Sequence, residues 1–145
     1  MSMNWVRDMQ LMHQKFGVNE VIRRLDKEKL EAFLKFRIDF LQEELDEMRK
    51  AVVDNQTGKI DAITAADDVV DALIDLCVVA IGTLDAYDVD AYEAWNRVFE
   101  KNMEKEVGVK ASRPNPLSLP DLIKPEGWTA PTHADNVGLI AKVFE

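Results

Sequence analysis

The sequence predicts an all-α protein, a four-helix-bundle-like core followed by a Pro-rich C-terminal extension. Apolar residues recur at three- and four-residue spacing over long stretches, the pattern of a helix with one buried stripe. No stretch of convincing length alternates apolar and polar residues, as a half-buried strand would. All five prolines fall at or after Pro114, so long helices are expected only before them. Long helical patterns without strands pack helix on helix.

The first helix is expected over about Met3 to Lys15, capped by Ser2, with Trp5, Met9, Met12 and Phe16 along one side and Gly17 at its end. The connector Val18 to Leu25 has room for another helical turn. Asp26 opens the longest pattern, Lys27 to about Val53, on which Leu30, Leu34, Ile38, Leu41, Leu45, Met48 and Val52 trace one stripe. Asn55-Gln56-Thr57-Gly58 breaks it with turn chemistry. A third helix is expected from Thr64, with Asp67 completing a capping box, to about Tyr87. It is apolar on most sides after Asp75, the signature of the central helix, and Gly82 within it signals close approach of a neighbour. Asp90 with Glu93 starts a fourth helix that Gly108 closes. Residues 1–108 are expected to form one helical domain. Residues 109–145 are expected as an extended tail of the same domain, ending in a short helix over Val137 to Phe144.

With 27 acidic and 18 basic residues the net charge is −9, which opposes binding of a nucleic-acid backbone. The longest apolar run, Leu76 to Leu84, falls far short of the roughly 20 residues that span a bilayer. Met1 to Arg7 lacks the apolar core of a secretory leader, and the lone Cys77 offers no disulfide framework, so a reducing cytoplasm is the expected compartment.

The acids are gathered rather than scattered. Glu43, Glu44, Asp46 and Glu47 lie within five residues of the second helix, and Glu43, Glu44 and Glu47 project from one side. On the third helix Asp68, Asp71 and Asp75 follow i, i+3, i+7. Like charges so spaced destabilise a helix by about 0.2–0.5 kcal/mol per pair, and two such helices point to a compensating cation. Hard carboxylates without histidine or thiolate favour Mg²⁺ or Mn²⁺, with two to three ions within the capacity of the cluster. A ferritin-like di-iron site needs Glu-x-x-His pairs, but Gln10 and Ala130 precede His13 and His133 by three.

Glu43-Glu44-Leu45-Asp46-Glu47 followed by Asp71-Ala72-Leu73-Ile74-Asp75-Leu76 resembles the split carboxylate motif of MazG-like all-α nucleoside triphosphate pyrophosphohydrolases, closest to their small, often phage-encoded members. His13-Gln14-Lys15-Phe16-Gly17, Gly82-Thr83, Asn102-Met103-Glu104-Lys105 and the Lys124 to Pro131 tail extend the similarity over about Trp5 to Pro131. The resemblance implies hydrolysis between the α and β phosphates with Mg²⁺ or Mn²⁺, in a homodimer or homotetramer. It implies the host cytoplasm as the location of a phage-encoded member. Glu43, Glu44 and Glu47 take the catalytic, metal-holding positions with Asp75. The family's second motif is Glu-x-x-Asp, yet Ala72 stands three before Asp75. Asp71 is the preferred substitute and Asp68 an outer-shell candidate; a shifted pair Asp68 and Asp71 is the alternative.

Asn102 and Lys105 resemble the family's substrate-side residues, and Lys124 and Trp128 join them from the tail. His13 is read as a base or sugar contact or a packing residue, and Arg37 as a phosphate ligand or a neutraliser of the acidic face. Trp5, Trp95 and Trp128 are candidates to stack on a base. The resemblance to the MazZ-type subgroup favours dGTP or GTP; dUTP, dCTP, modified nucleotides, or a catalytically silent helical module are the alternatives.

Overall fold

The computed structural model describes residues 2–118 and 120–145; Leu119, within the Pro-rich segment, lies outside the described residues. The chain divides into two compact units, residues 1–91 with 137–145, and residues 92–136.

In the first unit, α1 (Trp5–Phe16) and the short α2 (Val18–Arg23) precede the long α3 (Lys27–Gln56) and α4 (Ala62–Ala86). A 3-10 helix over Gly138–Val143 completes it. α4 packs against α1, α2 and α3, which makes it the central helix the sequence predicts. No helix among the described residues is long and apolar enough to cross a membrane.

Capping decides the helix starts, and two differ from expectation. Asn4, not Ser2, caps α1, its Oδ1 accepting from the Arg7 amide at 2.9 Å. Asp61 in extended backbone caps α4 by accepting from the Thr64 amide at 2.8 Å, so Thr64 lies inside the first turn and the Thr64–Asp67 box is not the start. Asp26 caps α3 as expected, accepting from Lys29. Of the α3 stripe, Leu30 is buried and Leu34, Leu41, Leu45 and Met48 are half-buried, whereas Ile38 and Val52 are exposed.

The apolar core joins Ile22, Leu30, Ala86, Tyr87, Val89 and Val143. Tyr87 is fully buried, and its hydroxyl donates to the Leu30 carbonyl at 2.6 Å, so the polar tip is satisfied where water is excluded. Its own carbonyl accepts from the Leu139 amide at 2.7 Å, docking the C-terminal 3-10 helix on the end of α4. Gly138 makes that approach possible. Its φ is +51°, and a Cβ there would meet the Tyr87 carbonyl oxygen at 2.0 Å. We expect Gly138→Ala to cost about 2 kcal/mol or more, from left-handed strain and the clash together. A urea titration of helical signal reads this, and an unchanged midpoint would remove the docking from the account.

Gly82 holds the predicted close approach: it is buried, and a Cβ would meet Met9 Cε at 2.9 Å and Arg37 Nη2 at 3.0 Å.

The second unit contains most of α5 (Ala91–Met103) and two antiparallel strands, β1 (Glu106–Gly108) and β2 (Asp121–Ile123). Here the expectation of a helix running to Gly108 fails. Gly108 pairs with Asp121 across the ladder, and the Ile123 side chain lies against it where a Cβ would be 2.7 Å from Ile123 Cδ1. Three-residue strands are too short to show alternation in sequence. Arg97 ties residues 132–135 to α5 through Glu93, Asp135 and the Thr132 carbonyl, and both carboxylates hold its guanidinium above its ordinary pKa.

Candidate functional site

α3 and α4 are joined by a short turn that Asp54 clamps. Its buried carboxylate pairs with Lys50 and with Lys59 at 3.1 Å, and its carbonyl accepts from the Lys59 amide. The two lysines hold Asp54 below the ordinary aspartate range. This turn packs the acid-bearing lengths of the two helices together, so that carboxylates far apart in sequence act on one another.

Glu44 is the focus of that field. Burial raises its carboxyl pKa, and the charges of Glu47, Asp75, Glu43 and Asp71 raise it further. Its Oε2 is buried without a hydrogen-bond partner. The five carboxylates singled out in the sequence, Glu43, Glu44, Glu47, Asp71 and Asp75, thus share one electrostatic neighbourhood. Among the described residues none of the five makes an ion pair. A buried oxygen with no donor, among four other acids, suits a cation. Yet among the described residues no three metal-binding side chains stand close enough together to form a ready-made cage. Ala72, where the sequence lacks the expected glutamate, is buried, whereas Asp71 is exposed and Asp75 half-buried.

An open groove of about 470 Å³ runs along α3, lined by Asp39, Gln42, Glu43, Asp46, Glu47 and Lys50. Asp39 was not singled out from sequence, though Asp39, Glu43 and Glu47 at i, i+4, i+8 carry the signal, and Asp46 was named in the acidic cluster but set off its shared side. They differ from the five in having cations of their own: Lys35 on Asp39 at 2.6 Å and Arg49 on Asp46 at 3.1 Å. Asp68 stands apart, its charge acting on Lys50.

His13 and Arg37 are committed inside the bundle. His13 is buried, with Nδ1 2.7 Å from Asp85 Oδ2, and Asn19 donates to the same carboxylate at 3.2 Å. Arg37 donates from Nε to Thr83 Oγ1 at 2.8 Å and from Nη2 to the Val79 carbonyl at 2.9 Å, with Phe33 and Phe40 beside its guanidinium. Desolvation lowers its pKa. The packing reading of His13 therefore has geometry behind it, whereas the Arg37 guanidinium, read as a phosphate ligand or a neutraliser of the acidic face, is engaged by Thr83 and the Val79 carbonyl. Asp85 and Asn19, which complete the His13 network, carried no sequence signal because they act only across 66 to 72 residues.

Asn102, Lys105, Lys124 and Trp128 lie in the second unit, and they come together there. The Lys105 ammonium donates to Asn102 Oδ1 at 2.8 Å and lies 5.3 Å from the centre of the Trp128 ring. Lys124 lies 4.7 Å from the same ring, and the indole N–H donates to the Lys101 carbonyl at 2.9 Å. Trp5 and Trp95 are exposed.

The profile of the phosphoribosyl-ATP pyrophosphohydrolase family matches residues 18–102, more than half of the chain and all of α3 and α4. Among proteins of curated function none matches. The matched span contains all five carboxylates that act together, Glu43, Glu44, Glu47, Asp71 and Asp75. The chain belongs to the phosphoribosyl-ATP pyrophosphohydrolase family, an all-α fold of the MazG-like superfamily.

Proposed function

We propose that this protein hydrolyses the α–β phosphoanhydride of a triphosphate-bearing nucleotide, releasing a monophosphate and pyrophosphate, with Mg²⁺ or Mn²⁺ held by Glu43, Glu44, Glu47, Asp71 and Asp75. The observation that carries the proposal is Glu44: a buried, unpartnered carboxylate oxygen under the field of four further acids from two helices. Two to three divalent ions would neutralise that field, polarise the phosphate and lower the pKa of the attacking water. The protein's own part is to keep Glu44 Oε2 out of solvent and to leave the five acids without lysine or arginine partners. Asp39, Asp46 and Asp54 are paired with lysine or arginine and are thereby removed from the competition. Asp68 remains an outer member of the set.

The family name favours phosphoribosyl-ATP, itself a triphosphate, as substrate. The similarity of the short motifs to MazZ-type phage enzymes favours dGTP or GTP. Purified protein incubated with Mg²⁺ and each of phosphoribosyl-ATP, dGTP, GTP, dUTP and dCTP, assayed for pyrophosphate, decides between them. Release from none of these would leave the rival reading, a catalytically silent helical module, which draws on Ala72 and on the lack of a ready-made ligand cage.

We further propose a homodimer or homotetramer. On α4, Val70, Leu73 and Ile74 are 60, 47 and 45% exposed, and Phe36, Ile38 and Val52 are exposed on α3. Apolar side chains repeated along two helices exceed the scattered exposure of an ordinary monomer surface. Light scattering at micromolar concentration is expected to give at least twice the chain mass of 16.5 kDa, and a single-chain mass would refute the assembly.

A further inference from the structure

Among the described residues, Lys50 is the one cation lining the groove along α3, in company with Glu43 and Glu47. It follows Asp46 by four residues and Glu47 by three, and it precedes Asp54 by four. All three carboxylates are therefore within helical reach of its ammonium. Order along the helix favours Asp46 over Asp54, since an acid four residues before a lysine pairs better than one four residues after it. Lys50 nevertheless pairs with Asp54.

Burial decides the choice. The Asp54 side chain is 9% exposed, against 74% for Lys50 and 68% for Lys59. A buried carboxylate without a cation costs far more than an exposed one left in water. Asp54 therefore draws Lys50 along the helix and takes Lys59, at 3.1 Å, from the turn that follows. Its carbonyl accepts from the Lys59 amide at 2.8 Å, which fixes the turn around the three charges. Asp68 adds to the pull on Lys50 from α4.

A released Lys50 has an open place at Glu47. Asp46 already accepts from Gln42 at 2.9 Å and from Arg49 at 3.1 Å. Glu47 makes no ion pair among the described residues. An ammonium there would compete with a divalent ion for the same oxygens. We propose that Asp54 is a positioning residue for the metal site: by holding the Lys50 ammonium at the α3–α4 turn, it keeps Glu47 open to a cation. Asp54 lies seven residues beyond Glu47, about 10 Å along the axis, too far to share an ion with it. Its role rests on the hydrolase reading for the identity of the site it protects.

The full chain, free of nucleotide, is titrated with Mn²⁺, and the free ion is followed by its paramagnetic resonance signal. Asp54→Asn keeps the side-chain shape and removes its charge. Mn²⁺ binding is expected to weaken about fivefold, the worth of one exposed ion pair that the incoming ion must break. Adding Lys50→Gln should restore the parent affinity to within about twofold, whereas adding Lys59→Gln should not. Equal rescue by both would reduce the effect to net charge, and rescue by neither would make it a packing defect. Either result overturns the proposal, as does unchanged affinity in Asp54→Asn. Lys50→Gln alone keeps the Asp54–Lys59 pair and decides the matter should Asp54→Asn fail to fold. It is expected to bind Mn²⁺ as Lys59→Gln does; tighter binding in Lys50→Gln only would mean that Lys50 already reaches Glu47, and overturns the proposal. Pyrophosphate release measured alongside keeps the two readings separate. Mn²⁺ binding with the Lys50-specific rescue but no hydrolysis of any triphosphate overturns the hydrolase and spares the role of Asp54. Hydrolysis without that rescue does the opposite, and a parent chain that binds no Mn²⁺ overturns both.

Discussion

Glu44→Gln is expected to abolish turnover while making the metal-free protein more stable at pH 8. The two effects have one cause. Burial and the charges of Glu47, Asp75, Glu43 and Asp71 raise the Glu44 pKa in the folded state. The folded protein therefore binds the Glu44 proton more tightly than the unfolded chain does, and stability falls as pH rises through that interval. The contribution is fully present below about pH 4, the ordinary glutamate range, and is lost once pH passes the raised folded value. Glutamine removes this dependence, because it carries no charge for burial and the neighbouring carboxylates to oppose. On the activity side, a ligand to the catalytic ions supports several kcal/mol of charge stabilisation in the transition state. At about 1.4 kcal/mol per factor of ten, the loss is at least about a hundredfold. Urea titrations at pH 5 and pH 8 in EDTA, beside turnover with Mg²⁺, read both. Full turnover in the variant, or a variant weaker than the parent at pH 8, would refute the role given to Glu44. Added Mg²⁺ should stabilise the parent more at pH 8 than at pH 5, because proton and ion compete for the same oxygen.

The bundle was legible in the sequence because helices of 25 and 30 residues repeat their pattern many times. Leu30, Leu34 and Leu41 report the buried side of α3 with a period that no strand would produce. The helix starts were less legible. Asp61 and Thr64 each begin an acceptable cap, and the choice depends on where the turn clamped by Asp54 delivers the chain. The β1–β2 pair was not legible at all. Its partners lie 13 to 17 residues apart, and three residues cannot display an alternation. The same holds for long-range polar partners. A lone histidine and a lone arginine leave several roles open until Asp85, Thr83 and the Val79 carbonyl are seen to engage them. The carboxylates were legible as a group since i, i+3 and i+4 spacing fixes a helix face whatever the packing. What the sequence left open was membership at the edge of that group.

That edge is where Asp71→Asn and Asp68→Asn should diverge, the first costing orders of magnitude in turnover and the second much less. Both residues are exposed acids on α4, so neither substitution carries a packing penalty that would confuse the comparison. Their electrostatic surroundings differ. Asp71, with Asp75, contributes to the field on Glu44. Asp68 acts instead on Lys50, whose ammonium is already engaged by Asp54 at the turn. Geometry runs the same way. At 1.5 Å of rise per residue, Asp68 lies about 10 Å along the axis from Asp75 and Asp71 about 6 Å. Paired catalytic ions lie about 3.5–4 Å apart, a spacing that Asp71 and Asp75 can serve together and Asp68 and Asp75 cannot. Steady-state turnover at saturating Mg²⁺, with Mg²⁺ dependence measured for each variant, separates weakened ion binding from a lost chemical role. If Asp68→Asn proves the more damaging, the catalytic pair is Asp68 with Asp71, and Asp75 moves to the outer shell.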